Sequence, residues 1–114
     1  KISPYFYYDY IGKKLSNLIT ITDADRNPYF NMVEIRNNNI KLIKKKNKIF
    51  FSRQTAPKVY DLNASIYAWR RKTLLNNNKI ILNKTFFYEM PRVRSFDIDE
   101  KVDLMIVKSL MKLK

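Results

Sequence analysis

Cysteine and histidine are both missing from this 114-residue chain, and each absence closes a class of chemistry. Without cysteine there is no disulfide framework and no thiolate zinc site. Without histidine the commonest general base and metal ligand is gone. Catalysis would have to rest on carboxylates, lysine, arginine, tyrosine, backbone groups or a hard cation held by oxygen. Long apolar runs are missing too. None approaches the roughly 18–20 residues that cross a bilayer, and no signal peptide is visible, so the expected location is the cytoplasm with no membrane partner. Glycine occurs once, at Gly12, and acids are scarce: 10 Asp and Glu against 23 Lys and Arg, for a net charge of +13.

What is present argues for a folded chain. A hydrophobic share of 46% with 14% aromatics is that of a globular protein, not a basic tail, and predicts a core or interface packed with rings. The length suits one domain or part of one. The chain opens at Lys1 without methionine and runs directly into "SPYFYYDYIGKKL", which reads as a chain entered midway. Basic residues cluster in "KLIKKKNK" (41–48) and "WRRK" (69–72). Such charge invites a nucleic-acid partner. It is equally what a composition rich in Lys, Asn and Ile spreads over solvated faces. No nucleic-acid module accompanies the clusters, which argues against that partner.

Local patterns predict alternating elements. Ser3-Pro4 reads as a helix start, with Phe6, Tyr7, Tyr10, Ile11 and Leu15 at helical spacing. "NLITIT" (17–22) reads as a strand, "DADRNP" (23–28) as turn chemistry and "YFNMVEI" (29–35) as a second strand. "RNNN" (36–39) turns into a strand at "IKLIKK". Residues 52–63 read as an irregular connector, "ASIYAW" (64–69) as a strand and "RRKTLLNNN" as a short helix. "TFFYEM" (85–90) is a strand stopped by Pro91. The tail "DEKVDLMIVKSLMKLK" is an amphipathic helix with Asp99 as its expected N-cap. Strands alternating with helices favour an α/β fold, and residues 29–69 read as a β-rich excursion.

Three of the scarce acids stand together in "YEMPRVRSFDIDEKVDL" (88–104): Asp97, Asp99 and Asp103. In extended chain, residues i and i+2 share a side, so Asp97 and Asp99 aim at one spot while Ile98 turns inward. Paired carboxylates repel unless a proton or cation lies between them. Magnesium suits the pair, because it takes one or two carboxylates, keeps waters and accepts phosphate oxygens. The bland alternative leaves Asp99 as a helix cap and Asp97 in solvent.

The same stretch, "Y-x-M-P-x-x-R-S-F-D-I-D-E-K-V-D", resembles the signature near the C-terminus of bacterial acylneuraminate cytidylyltransferases, the CMP-sialic acid synthetases. It is similar also to their relatives acting on legionaminic-type sugars. "NLITITDADRNPYFNMVEI" and "SRQTAPKVYDLNASIYAWRR" resemble two further family segments, in the family's order. The resemblance covers essentially the whole chain, and only as the family's C-terminal half. It implies the C-terminal part of a Rossmann-like nucleotidyltransferase α/β fold, formed by residues 1–28 and 70–114. Residues 29–69 would be a β-rich dimerisation excursion, and the N-terminal nucleotide-binding half is absent.

The resemblance also implies a reaction: transfer of CMP from CTP to a nine-carbon keto acid sugar, a nonulosonic acid, with release of pyrophosphate. Asp97 and Asp99 match the family's Mg2+ carboxylates and are the expected catalytic residues. Arg53 matches an arginine reaching the sugar-acid site from the neighbouring subunit of a homodimer, and Tyr67 a tyrosine lining the sugar pocket. Gln54 and Asn63 match further substrate-side motif positions. Ile80 and Ile81 stand where some members carry aromatics against the sugar's acyl group. The family's Asn-Gly is Asn63-Ala64 here. "NPYFN" at 27–31 is closer to the legionaminic-type branch. Each residue has a plainer reading, with Arg53 a surface cation, Tyr67 a satisfied ring and Ile80 and Ile81 core. Two other functions stay open: a basic nucleic-acid-binding module, and a dimerisation fragment that catalyses nothing. Half of such an enzyme is expected to be inactive alone.

Overall fold

The computed structural model describes residues 15–47 and 49–113, so the helix expected from Ser3-Pro4 lies outside the described residues. Along the chain run β1 (Asn17–Asp23), β2 (Val33–Arg36), β3 (Asn39–Leu42), β4 (Tyr60–Trp69), α1 (Arg71–Asn76), β5 (Thr85–Glu89), a 3-10 turn (Arg92–Arg94) and α2 (Lys101–Lys112). These residues divide into two compact units: Asp23–Asp61, and the segments on either side of it. The mixture of strands and helices is α/β in class, as the sequence predicts.

The flanking segments build a three-stranded sheet in the order β4-β1-β5. β1 is central, and its β-branched run "NLITIT" explains both the strand and its burial. β5 pairs with it in parallel, from Asn17 opposite Thr85 to Ile21 opposite Glu89. β4 runs the other way: the Arg70 N–H donates to the Ser16 carbonyl, and the Ile66 N–H reaches the Thr20 hydroxyl. The sheet is therefore mixed. Its core is small, formed by Leu18, Ile19 and Met90, and three polar side chains on β1, Asn17, Thr20 and Thr22, are buried with them. No aromatic ring is fully buried among the described residues.

The Asp23–Asp61 unit contains the hairpin of β2 and β3, paired from Val33 opposite Leu42 to Arg36 opposite Asn39. Asn37 and Asn38 form its turn, with φ of 50° and 62°. Both values lie in the left-handed region, where asparagine is tolerated and two-residue hairpin turns need it. The strand expected at 29–35 starts late, at Val33. The Asn27 carbonyl accepts the N–H groups of Phe30, Asn31 and Met32, and the Asn31 side chain accepts from the Asn27 N–H at 2.6 Å. That local bonding holds residues 28–31 in a turn. β4 starts earlier than expected, at Tyr60, so Asn63 lies inside a strand and not in a connector. No helix among the described residues is long and apolar enough to cross a membrane.

Candidate functional site

β1 and β5 run parallel, so their C-terminal ends lie on one edge of the sheet, the edge where open α/β folds place ligands. β5 delivers the chain there. Met90-Pro91 ends the strand, one turn of 3-10 helix follows, and residues 95–98 run without helical or strand bonding to the start of α2. Asp97 and Asp99 are both exposed in this segment.

The three neighbouring acids separate into two roles. The Asp103 carboxylate accepts the N–H of Glu100 at 2.9 Å, the N-cap donor of α2, and that of the preceding Asp99 at 3.1 Å. Glu100, not Asp99, is the N-cap residue. The expected cap at Asp99 is thus corrected: Asp103 reaches back to do that work, and no hydrogen bond or ion pair engages the carboxylates of Asp97 and Asp99 among the described residues. Ile98 does not turn inward either; it is 54% exposed.

Two buried amides tie the loops of this sheet to β1. Asn63, 5% exposed on β4, accepts from the Thr20 hydroxyl at 2.6 Å and from the Ser65 N–H at 3.3 Å. Its Nδ2 donates to the Met90 sulfur at 3.4 Å and to the Ser95 hydroxyl at 3.0 Å. All its hydrogen-bonding capacity is spent inside the protein. Asn17 does the same at the other end of β1. It donates to the Ile80 carbonyl at 2.7 Å and accepts from the Thr85 hydroxyl at 2.7 Å, while that hydroxyl accepts the Leu82 N–H. Ile80 and Ile81, expected at the sugar's acyl group, sit in the loop so held, 42% and 68% exposed. Tyr67, on β4, is 37% exposed.

Arg53 and Gln54 belong to the other unit, where they line one open cleft of about 360 Å³ with Asp23, Arg26, Asn27 and Lys58. The Arg53 guanidinium donates to the Ala24 carbonyl. Lys58 lies 3.7 Å from Asp23. The Asn27 side chain donates to the Pro57 carbonyl at 2.8 Å and accepts from the Tyr29 N–H at 2.9 Å, fixing the cleft's floor. The cleft is cationic, with three basic side chains against one acid. Arg53 and Gln54 stand in a stretch the sequence singled out. Arg26 and Lys58 were not picked out, because isolated cations in a lysine-rich sequence carry no pattern. Thr20 and Ser95 were missed as well: single hydroxyls reveal nothing until the fold brings them to Asn63.

Two curated relatives match most of the chain's length. The chain is 48% identical over 97 residues to the CMP-N,N'-diacetyllegionaminic acid synthase of Campylobacter jejuni, covering 85% of this chain and 40% of that protein. It is 43% identical over 98 residues to the post-translational flagellin modification protein B of Campylobacter coli, covering 86% of this chain and 41% of that protein. No family model matches. The fold places the described residues in the α/β class. More particularly, the relatives bear out the resemblance to the CMP-sialic acid synthetase family. The chain spans about two fifths of the length of these relatives.

Proposed function

We propose that this chain supplies the cation-holding segment and part of the sugar-acid site of a cytidylyltransferase that moves CMP from CTP onto a nine-carbon keto acid of legionaminic type, releasing pyrophosphate. The observation that carries the reading is the freedom of Asp97 and Asp99. In a chain with 13 more cations than anions, two carboxylates only two residues apart in sequence are exposed with no cation of the described residues on them. The donor set suits Mg2+, which needs only one or two carboxylates when phosphate and water complete its shell.

When bound, Mg2+ would supply charge neutralisation at the phosphates. The chain's own residues do the rest. The Asn63 and Asp103 hydrogen bonds hold the two ends of the segment that presents Asp97 and Asp99. An Asp97 or Asp99 oxygen is the proposed aid in deprotonating the attacking anomeric hydroxyl. The Arg53 cleft suits the sugar's carboxylate, since a guanidinium pairs with a planar anion through two parallel hydrogen bonds. Tyr67, Ile80 and Ile81 are the proposed apolar contacts of the sugar's substituents.

The hairpin of β2 and β3 is the proposed dimer arm, presenting Arg53 to the neighbouring copy. Its partner-facing side is apolar: Val33, Ile35, Ile40 and Leu42 share one face, and Ile35 and Ile40 are 73% and 66% exposed. The other side carries Glu34, Arg36 and Lys41.

The test is pyrophosphate release by the full-length gene product given CTP, Mg2+ and a panel of nonulosonic acids. Asp97→Asn should lower kcat by at least about 100-fold, the scale for losing one charge-stabilising group. Release that persists in Asp97→Asn, or is absent with every acid from a folded protein, would refute the proposal.

A further inference from the structure

We infer that the hydrogen bond between Asn63 and Ser95 sets the path of the segment presenting Asp97 and Asp99, making both positioning residues that govern turnover rather than substrate affinity. The inference rests on the cytidylyl transfer proposed above. It begins with the direction of each hydrogen bond. The Thr20 hydroxyl accepts the Ile66 N–H at 3.1 Å, so its own proton is available for the Asn63 Oδ1 at 2.6 Å. The Ser65 N–H points at the same oxygen. Two donors on Oδ1 fix the amide's orientation, and Nδ2 is left facing Met90 and Ser95.

Ser95 is polarised in turn. Its hydroxyl donates to the Pro91 carbonyl at 3.1 Å and accepts from Asn63, while its N–H closes the 3-10 turn on Arg92 at 3.0 Å. Only Phe96 separates this anchored residue from Asp97.

Beyond Ser95 the segment has little else to hold it. Phe96 is 38% exposed and Ile98 54% exposed, so neither is a buried apolar anchor. The next tether among the described residues is the Asp103 carboxylate on the Asp99 N–H. The segment is thus a short span between two polar anchors, one of them reaching through Asn63 to the central strand. A displacement of about 1 Å at catalytic groups can cost on the order of 100-fold in rate, so the upstream anchor matters to catalysis.

The experiment compares the full-length gene product with Ser95→Ala and Ser95→Thr, reading kcat, KM for CTP and sugar acid, the Mg2+ concentration for half-maximal rate, and amide exchange at Phe96, Asp97 and Ile98. For Ser95→Ala, kcat should fall about tenfold or more with both KM values within about twofold, the pattern of a lost transition-state interaction. More Mg2+ should be needed, and exchange at residues 96–98 should quicken while the Ile19 and Phe87 amides stay unchanged. Ser95→Thr, which keeps the hydroxyl, should restore the rate. An unchanged kcat with unchanged exchange in Ser95→Ala overturns the inference, as does a rise in KM alone. Absence of pyrophosphate release from the parent refutes the proposed function and this inference with it; an active parent with an unaffected Ser95→Ala refutes the inference alone.

Discussion

Ala64 holds its backbone at φ 53°, in the left-handed region that a Cβ makes costly by roughly 1–2 kcal/mol. It stands beside Asn63 in β4, where the strand bends so that Asn63 and Ile66 both meet Thr20. A glycine, lacking the Cβ, would take this φ without strain. Ala64→Gly should therefore raise stability by up to about 1 kcal/mol, the relief of strain exceeding the extra chain entropy of glycine in the unfolded state. Urea unfolding should show a higher midpoint with an unchanged slope, and a lower midpoint would count against a left-handed Ala64. Asn63 itself was legible as a motif position, but its work was not. Its partners lie 43 and 32 residues away, and no local pattern announces a hydrogen bond at that separation. The asparagine turn at 37–38 shows the contrary case: its chemistry is local, and the sequence displayed it in full.

Elements were legible where local preference and burial agree. β1 and β5 are rich in β-branched and aromatic residues and sit where predicted, the latter ended by Met90-Pro91. β2 began late because the Asn27 and Asn31 turn outbid the strand propensity of Tyr29 and Phe30. At the start of α2 the sequence offered several acids, and only geometry chose among them. Asp103 holds two N–H groups and Asp99 holds none with its side chain. Asp103→Ala should then cost about 1 kcal/mol, the usual scale for losing a helix N-terminal cap, and should also loosen the segment carrying Asp97. Asp99→Ala should leave stability within about 0.5 kcal/mol, as exposed substitutions do. Thermal unfolding followed by circular dichroism separates the two, and an equal loss in both variants would return the capping role to Asp99.

For the molecule as a whole, the α/β class and the order of elements could be read from the sequence, while the exposure of the hairpin's apolar face could not, because exposed apolar residues on a strand read like those of a core. Val33, Ile35, Ile40 and Leu42 alternate as any buried strand would, yet the hairpin leaves Val33, Ile35 and Ile40 exposed. A two-stranded hairpin is marginal in water unless its apolar face is covered. Burying one such isoleucine contributes roughly 1.5–3 kcal/mol, so a symmetric pair of hairpins has a substantial reason to associate. Ile35→Lys with Ile40→Lys should leave the β2–β3 turn intact and put unpaired charges into the interface, at a cost of several kcal/mol. At about 1.4 kcal/mol per tenfold, the dimer dissociation constant should rise at least about 100-fold. Light scattering coupled to size-exclusion chromatography reads the mass directly: the parent should run as a dimer and the double variant as a monomer. Because Arg53 is proposed to serve the neighbouring copy, the monomer should also lose pyrophosphate release. A double variant that stays dimeric would remove the hairpin from the interface. One that becomes monomeric but remains active would instead show that Arg53 serves its own chain.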